Sequence, residues 1–162
     1  MALRTRARKS PTPIVPFSAQ TFLDSSGLGR TIVEYRRGET IFTPGEDCED
    51  ILYIQAGGVK LTMRSPTGKE ALVATLGPGD FFGESCLADQ AVRTSTATAI
   101  TPSVILLVGK DRMMRTLRTH PSMSGRFIAH MLSRNARIEE DLANQIFSAR
   151  HTRPQSRPVT RH

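Results

Sequence analysis

Short blocks of apolar and β-branched residues, separated at regular intervals by turn-forming residues, fill the middle of the chain. The turns are Gly38, Pro44-Gly45, Gly57-Gly58, Thr67-Gly68 and Pro78-Gly79. Between and beyond them lie Thr31–Tyr35, Ile51–Gln55, Val59–Met63, Ala71–Leu76, Thr94–Ile100 and Ser103–Val108. Blocks of this length at this spacing predict short strands in an all-β sandwich or barrel. Alternation along Val59-Lys60-Leu61-Thr62-Met63 predicts one wet and one buried face.

After Gly109 the period changes. Lys110 to Thr119 reads as a short helix, and Pro121 suits the first turn of a second one. In that second helix Ile128, Met131, Ile138, Leu142 and Ile146 recur at helical steps and form one apolar stripe. Part of the stripe is expected to pack on the barrel and part to pair with a second copy as a short coiled coil; packing on its own barrel alone is the other reading of the same period. Asn135 lies within the stripe, where a buried polar residue sets register or oligomeric state. Ser148 to His162 has neither period and contains Pro154 and Pro158, so no helix-turn-helix is expected there.

The length, 162 residues, suits one domain with an appendage. The longest apolar run, Val104 to Val108, is far shorter than the roughly 20 residues a membrane span needs. The N-terminal Arg4, Arg6, Arg8 and Lys9 precede no apolar segment, so a secretory signal is not expected. Cys48 and Cys86, the two cysteines, are not spaced as a redox or zinc motif and predict reduced thiols in a cytoplasm. The net charge of +7 belongs to the ends. Residues 1–23 carry four basic groups and no acid, and so do residues 148–162; taking those eight from 22 leaves 14 basic against 15 acidic residues between Asp24 and Phe147. Such tails read as solvated ends, the alternative being weak, salt-sensitive contact with nucleic acid.

The chemically informative stretch is Gly79-Asp80-Phe81-Phe82-Gly83-Glu84-Ser85-Cys86-Leu87, with Val92-Arg93-Thr94-Ser95-Thr96-Ala97 after it. Gly83 permits close backbone approach, and a turn opened by Gly-Glu-Ser presents N–H donors to an anion. Arg93 adds a forked cation and Thr94 a hydroxyl. Glu84 beside an anion calls for a hydroxyl to accept from. An acceptor for hydroxyls with a cationic fork for phosphate describes a ribose-phosphate binder; a Glu84–Arg93 ion pair in a barrel wall is the plain alternative.

Taken with Gly38-Glu39, Ile41-Phe42, Gly45-Glu46, Tyr53-Ile54-Gln55-Ala56-Gly57 and Gly68-Lys69-Glu70, this stretch resembles the phosphate-binding cassette of the cyclic-nucleotide-binding domain in its Crp/Fnr regulator form. The resemblance runs from about Ser18 to Phe147. It implies a mostly β fold with flanking helices: a double-stranded β-helix, or jelly-roll-like β-roll, followed by a long C-terminal dimerisation helix. The expected organisation is a disordered basic tail over 1–18, the β-roll over 19–109, a short and then a long dimerisation helix over 110–147, and a basic disordered tail over 148–162.

The resemblance also implies roles. Gly83 and Glu84 would cradle a ribose, with Glu84 accepting from its 2′-hydroxyl. Ser85 and Cys86 would present backbone N–H groups, Arg93 would pair with the cyclic phosphate, and Thr94 stands beside it. The implied effector is a cyclic nucleotide, cAMP or cGMP. Two departures stand out: the cassette is one residue shorter between Glu84 and Arg93 than in cAMP-responsive activators, and Ile138 and Glu139 stand where those activators read the base with hydroxyls. Arg134, on the same helix, is placed to meet Glu84, the alternative being a solvated arginine.

Other chemistries find little support. Two cysteines cannot ligate an iron–sulfur cluster, His120 and His130 suit a haem by residue type alone, and no histidine falls between Asp24 and Thr119 for a metalloenzyme site. No catalytic constellation is visible, so an enzyme is not expected. The expectation is a homodimer through residues 121–147 that answers a small-molecule effector in the cytoplasm, with no membrane contact and no specific DNA binding by this chain alone. The family's winged helix-turn-helix would follow Phe147, so a truncated or frame-shifted regulator is expected. The second expectation is a ligand-free subunit forming mixed dimers with full-length relatives.

Overall fold

A computed structural model describes Leu23 and residues 30–151. Eight strands, β1 (Arg30–Tyr35), β2 (Thr40–Phe42), β3 (Asp50–Ala56), β4 (Val59–Arg64), β5 (Glu70–Leu76), β6 (Phe81–Phe82), β7 (Thr96–Ala99) and β8 (Ser103–Gly109), precede the helices α1 (Lys110–Thr119) and α2 (Pro121–His151). A 3-10 turn, Glu84–Ala88, follows β6. The strands form two four-stranded antiparallel sheets, in the orders β1-β8-β3-β6 and β2-β7-β4-β5, which the chain enters alternately as a jelly-roll β-roll. None of the helices is long and apolar enough to cross a membrane among the described residues.

The β1-β8-β3-β6 sheet is covered on both faces. Along β3, Leu52 and Ile54 point between the sheets with Phe42, Val59, Leu76, Phe82 and Ile105. Ile51 and Tyr53 point the other way, toward Met113 of α1 and Phe127 and Met131 of α2. Successive strand residues face opposite sides, so a sheet buried twice has to be apolar at every position. That explains the unbroken runs Ile51–Ile54 and Val104–Val108. Strand β6 shows the same rule in two residues: Phe81 joins the helix-side core and Phe82 the inter-sheet core. Phe81 packs against Tyr53 (ring centroids 5.0 Å apart) and edge-on against Phe127 (5.2 Å).

Three features differ from the sequence expectation. Strands β2 and β6 were not expected, because three and two residues are too few to show a period. The alternation along β4 breaks at a register shift between Leu61 and Thr62, which leaves Thr62 buried and Met63 exposed. The extra residue is Val73 of β5, which the pairing skips, and such a bulge twists the strand pair locally. The stripe on α2 divides: Met131 is buried and Ile138 packs on the inter-sheet core, while Ile128 and Ile146 are exposed. Helix α2 also continues to His151, past the expected end at Phe147, since Ser148–His151 contains no breaker and Pro154 is the first to follow. The tail expected at 1–18, and residues 152–162 of the tail expected over 148–162, lie outside the described residues.

Replacing Phe81 by Ala removes the ring shared by β3, β6 and α2. Urea unfolding followed by circular dichroism is expected to show a loss of about 3–5 kcal/mol.

Candidate ligand-binding cassette

Strand β6 ends at Phe82, and the next residue turns the chain through the left-handed region (Gly83 φ 69°, ψ 22°) into the 3-10 turn. A Cβ at Gly83 would lie 2.5 Å from Arg93 Nη1 and 2.8 Å from Leu52 Cδ1. Glycine is therefore required twice, for its backbone angle and for the space.

Arg93 is brought to the same point by strand-like pairing of two loops. Its N–H donates to Glu46 O (2.8 Å), its carbonyl receives Gly45 N–H (2.9 Å), and Cys48 N–H donates to Ala91 O (3.0 Å). The guanidinium is buried, 6 % exposed, and lies over the Phe42 ring at 4.5 Å. It donates from Nη1 to Gly83 O (2.8 Å) and from Nη2 to Asp50 O (2.6 Å). Neutral carbonyls receive these donors, and Glu84 does not.

Glu84, in the 3-10 turn, pairs instead with α2. Arg134, also 6 % exposed, donates from Nη1 to Phe81 O (2.6 Å) and to Glu84 Oε2 (3.1 Å), and from Nη2 to Glu84 Oε1 and to Asn135 Oδ1 (2.8 Å). A bidentate arginine–carboxylate pair of this kind is both strong and directional. One turn further along, Arg137 Nη2 reaches Asp80 Oδ2 at 2.8 Å, and that carboxylate oxygen also caps Gly77 N–H at 2.9 Å. One turn back, His130 Nε2 donates to Gly79 O at 3.0 Å. Positions 130, 134 and 137, spaced four and three, share one helix face, and that face grips residues 79–84.

Ser85 is half-buried with its hydroxyl 3.6 Å from Cys48 Sγ, and buried Cys86 donates its thiol to Gly83 O at 3.4 Å. Burial, and next the neighbouring Cys48, push the Cys86 thiol up to about 12, against the pull of Arg93 and Lys110. Ile138 packs against the cluster that contains Phe42 and Leu52; Thr94 and Glu139 are exposed. The fold thus gathers Gly83, Glu84, Ser85, Cys86, Arg93 and Arg134, and leaves Thr94 and Glu139 at the surface. Sequence reasoning missed Asp80, His130 and Arg137 as members of the group. The available signal was two acids four apart in the motif, facing basic residues at helical spacing. Among the described residues no group of three or more His, Cys, Asp or Glu is placed to hold a metal ion.

A cyclic nucleotide-binding domain profile matches residues 32–120. The chain is 34 % identical over 116 residues to the CRP-like cAMP-activated global transcriptional regulator of Mycobacterium tuberculosis, covering 72 % of this chain and 52 % of that protein. It is 30 % identical over 133 residues to the global nitrogen regulator of Synechococcus elongatus, covering 79 % of this chain and 60 % of that one. Among solved structures, the Thermus thermophilus catabolite activator protein superposes with a TM-score of 0.62 at 28 % identity, over 85 % of this chain and 62 % of that one. The chain spans about half the length of the curated regulators it matches.

Gly83→Ala is expected to cost about 1–3 kcal/mol through backbone strain and displacement of Arg93. The midpoint of urea unfolding measures it.

Proposed function

The chain belongs to the cyclic nucleotide-binding domain family, and from that premise we propose that it is the sensor module of a Crp/Fnr-like transcription regulator, with cAMP or cGMP as effector. The single observation that carries this reading is the convergence of Arg93 and Glu84 on the turn at Gly83, with Glu84 held from the long helix by Arg134. In this reading the Arg93 fork exchanges the carbonyls of Gly83 and Asp50 for a cyclic phosphate, a stronger, charged acceptor. Ser85 and Cys86 offer backbone N–H groups to the same phosphate, with Thr94 at its edge. A ribose hydroxyl donates to Glu84 and competes there with Arg134. The helix-side wall is Ile138, with Glu139 beyond it, so the base meets an apolar surface instead of hydroxyls.

Signal transfer follows from the neighbour of Arg134. Asn135, which accepts from Arg134, lies on the line Ile128, Leu132, Asn135, Glu139, Leu142, Ile146, whose steps alternate four and three. Ile128 and Leu132 on that line are 54 % and 62 % exposed. Such spacing suits a homodimer seam through residues 121–147. Effector binding at Glu84 then biases the seam through a single shared guanidinium, a two-state element in the sense required of a switch. The chain acts in the cytoplasm and catalyses no reaction.

A second reading is favoured by the same atoms: both Nη atoms of Arg93 and both oxygens of Glu84 already make hydrogen bonds within the chain. A module so satisfied can serve as a ligand-free dimerisation subunit that forms mixed dimers with full-length relatives.

Calorimetric titration with cAMP and cGMP is expected to give micromolar binding by one of them, weakened about ten- to a hundredfold in Arg93→Ala, the equivalent of a lost charged hydrogen bond. Glu84→Gln provides the second variant should the first not fold. Absence of heat with both nucleotides would overturn the sensor reading. Co-purification of the tagged chain with an untagged full-length relative is expected under the second reading, and a failure to recover mixed dimers would sink it.

A further inference from the structure

Two thiols beneath the cassette have no part in that reading. Cys48 and Cys86 are the chain's two cysteines, and both are free and buried. Cys48 sits in the loop that pairs with the segment carrying Arg93, next to the bridge between Asp47 and Val92. Cys86 sits in the 3-10 turn after Gly83. The two sulfurs converge on one atom, the carbonyl oxygen of Gly83, at 4.0 Å from Cys48 and 3.4 Å from Cys86. That oxygen also receives Arg93 Nη1. Both sulfurs are therefore gathered within 4.0 Å of a single atom on the turn.

We propose that Cys48 and Cys86 are a modification site, joined by a hydroperoxide into an intramolecular disulfide that ties the Arg93 loop to the turn and resets the hydrogen bonding at Gly83. One sulfur, as thiolate, attacks the peroxide. A sulfur–oxygen bond forms as the oxygen–oxygen bond breaks, and the leaving oxygen takes up a proton and departs as alcohol, or as water from hydrogen peroxide. The second sulfur attacks the resulting sulfenic acid; the disulfide forms, the sulfur–oxygen bond breaks, and the hydroxyl leaves as water with the second thiol's proton. Two thiols thereby lose two electrons and two protons, and the hydroperoxide is reduced.

The surroundings provide access and set the rate. Cys86 lines a groove of about 590 Å³ whose walls include Leu87, Lys110, Met114 and Arg115. Burial makes the Cys86 thiol a weaker acid and keeps its thiolate scarce at neutral pH, so reduced protein persists there and oxidation through Cys86 accelerates about tenfold per pH unit as the pH rises toward the thiol's pKa. Once joined, neither sulfur donates to Gly83, and Arg93 remains the carbonyl's side-chain donor. The bond also closes a long loop of chain, which restricts the unfolded state.

The full chain is treated with hydrogen peroxide at pH 7, 8 and 9, blocked with iodoacetamide in denaturant, digested without reductant and analysed by mass spectrometry. The expected result is a linked Cys48–Cys86 peptide, formed about tenfold faster per pH unit, with a rise in Tm of several degrees that dithiothreitol reverses. Two alkylated cysteines, or sulfinic and sulfonic acids without a linked peptide, would overturn the proposal; this assay needs no variant. Cys86→Ser, or Cys48→Ala should that not fold, is expected to abolish the Tm rise, and a reversible rise that persists in either also overturns it. Neither readout involves a nucleotide, so the result stands apart from the sensor reading.

Discussion

The constraint on which the site depends is the pleat of a two-residue strand. Phe81 and Phe82 point to opposite faces of β6, one into the helix-side core and the other between the sheets. Each ring is fully buried, and neither can rotate out without opening a cavity in close-packed surroundings. The backbone between them is thereby fixed in position and direction. Gly83 begins where that fixed segment ends, so the turn, Glu84 and the carbonyl that holds Arg93 all inherit their placement from two aromatic anchors.

Helix α2 closes this arrangement and carries two distinct faces. His130, Arg134 and Arg137 hold the backbone and carboxylates of residues 79–84, while Phe127 and Met131 bury beneath them. Across the helix, Ile128 and Leu132 face outward. Arg134 and Asn135 are the join, adjacent in sequence and hydrogen-bonded across the boundary between the faces. Charge on the inner face is matched locally: Glu84 meets Arg134, and Asp80 meets Arg137, so the cassette and the helix form a neutral contact in which either ion pair lost would leave a partly buried charge.

Much of this was legible in the sequence. Six strands and both helices were marked by turn residues and by changes of period, and the Gly83-Glu84 signature pointed to the turn itself. What escaped notice has physical reasons. Strands of two or three residues carry no period. The bulge at Val73 of β5, opposite Leu61 and Thr62, interrupts the pairing without any change of composition. The apolar stripe of α2 mixes two neighbouring faces, because residues 128 and 131 lie three apart and read alike until the barrel buries one of them. The acceptors of Arg93 are backbone carbonyls, at Gly83 and Asp50, and a carbonyl belongs to every residue alike. The thiols of Cys48 and Cys86 are far apart in the chain and converge on the Gly83 carbonyl through the pairing of loop segments that neither cysteine announces.

Arg93 is held in place by Gly83, Asp50 and Phe42 whether or not anything binds beside it. Natural selection for folding alone is then enough to retain it, with the glycine that makes room for it. The exposed rim around Thr94 and the helix wall at Ile138 take no part in those contacts and can vary without disturbing them. In such a fold, inheritance of the signature records the architecture that holds the arginine in place.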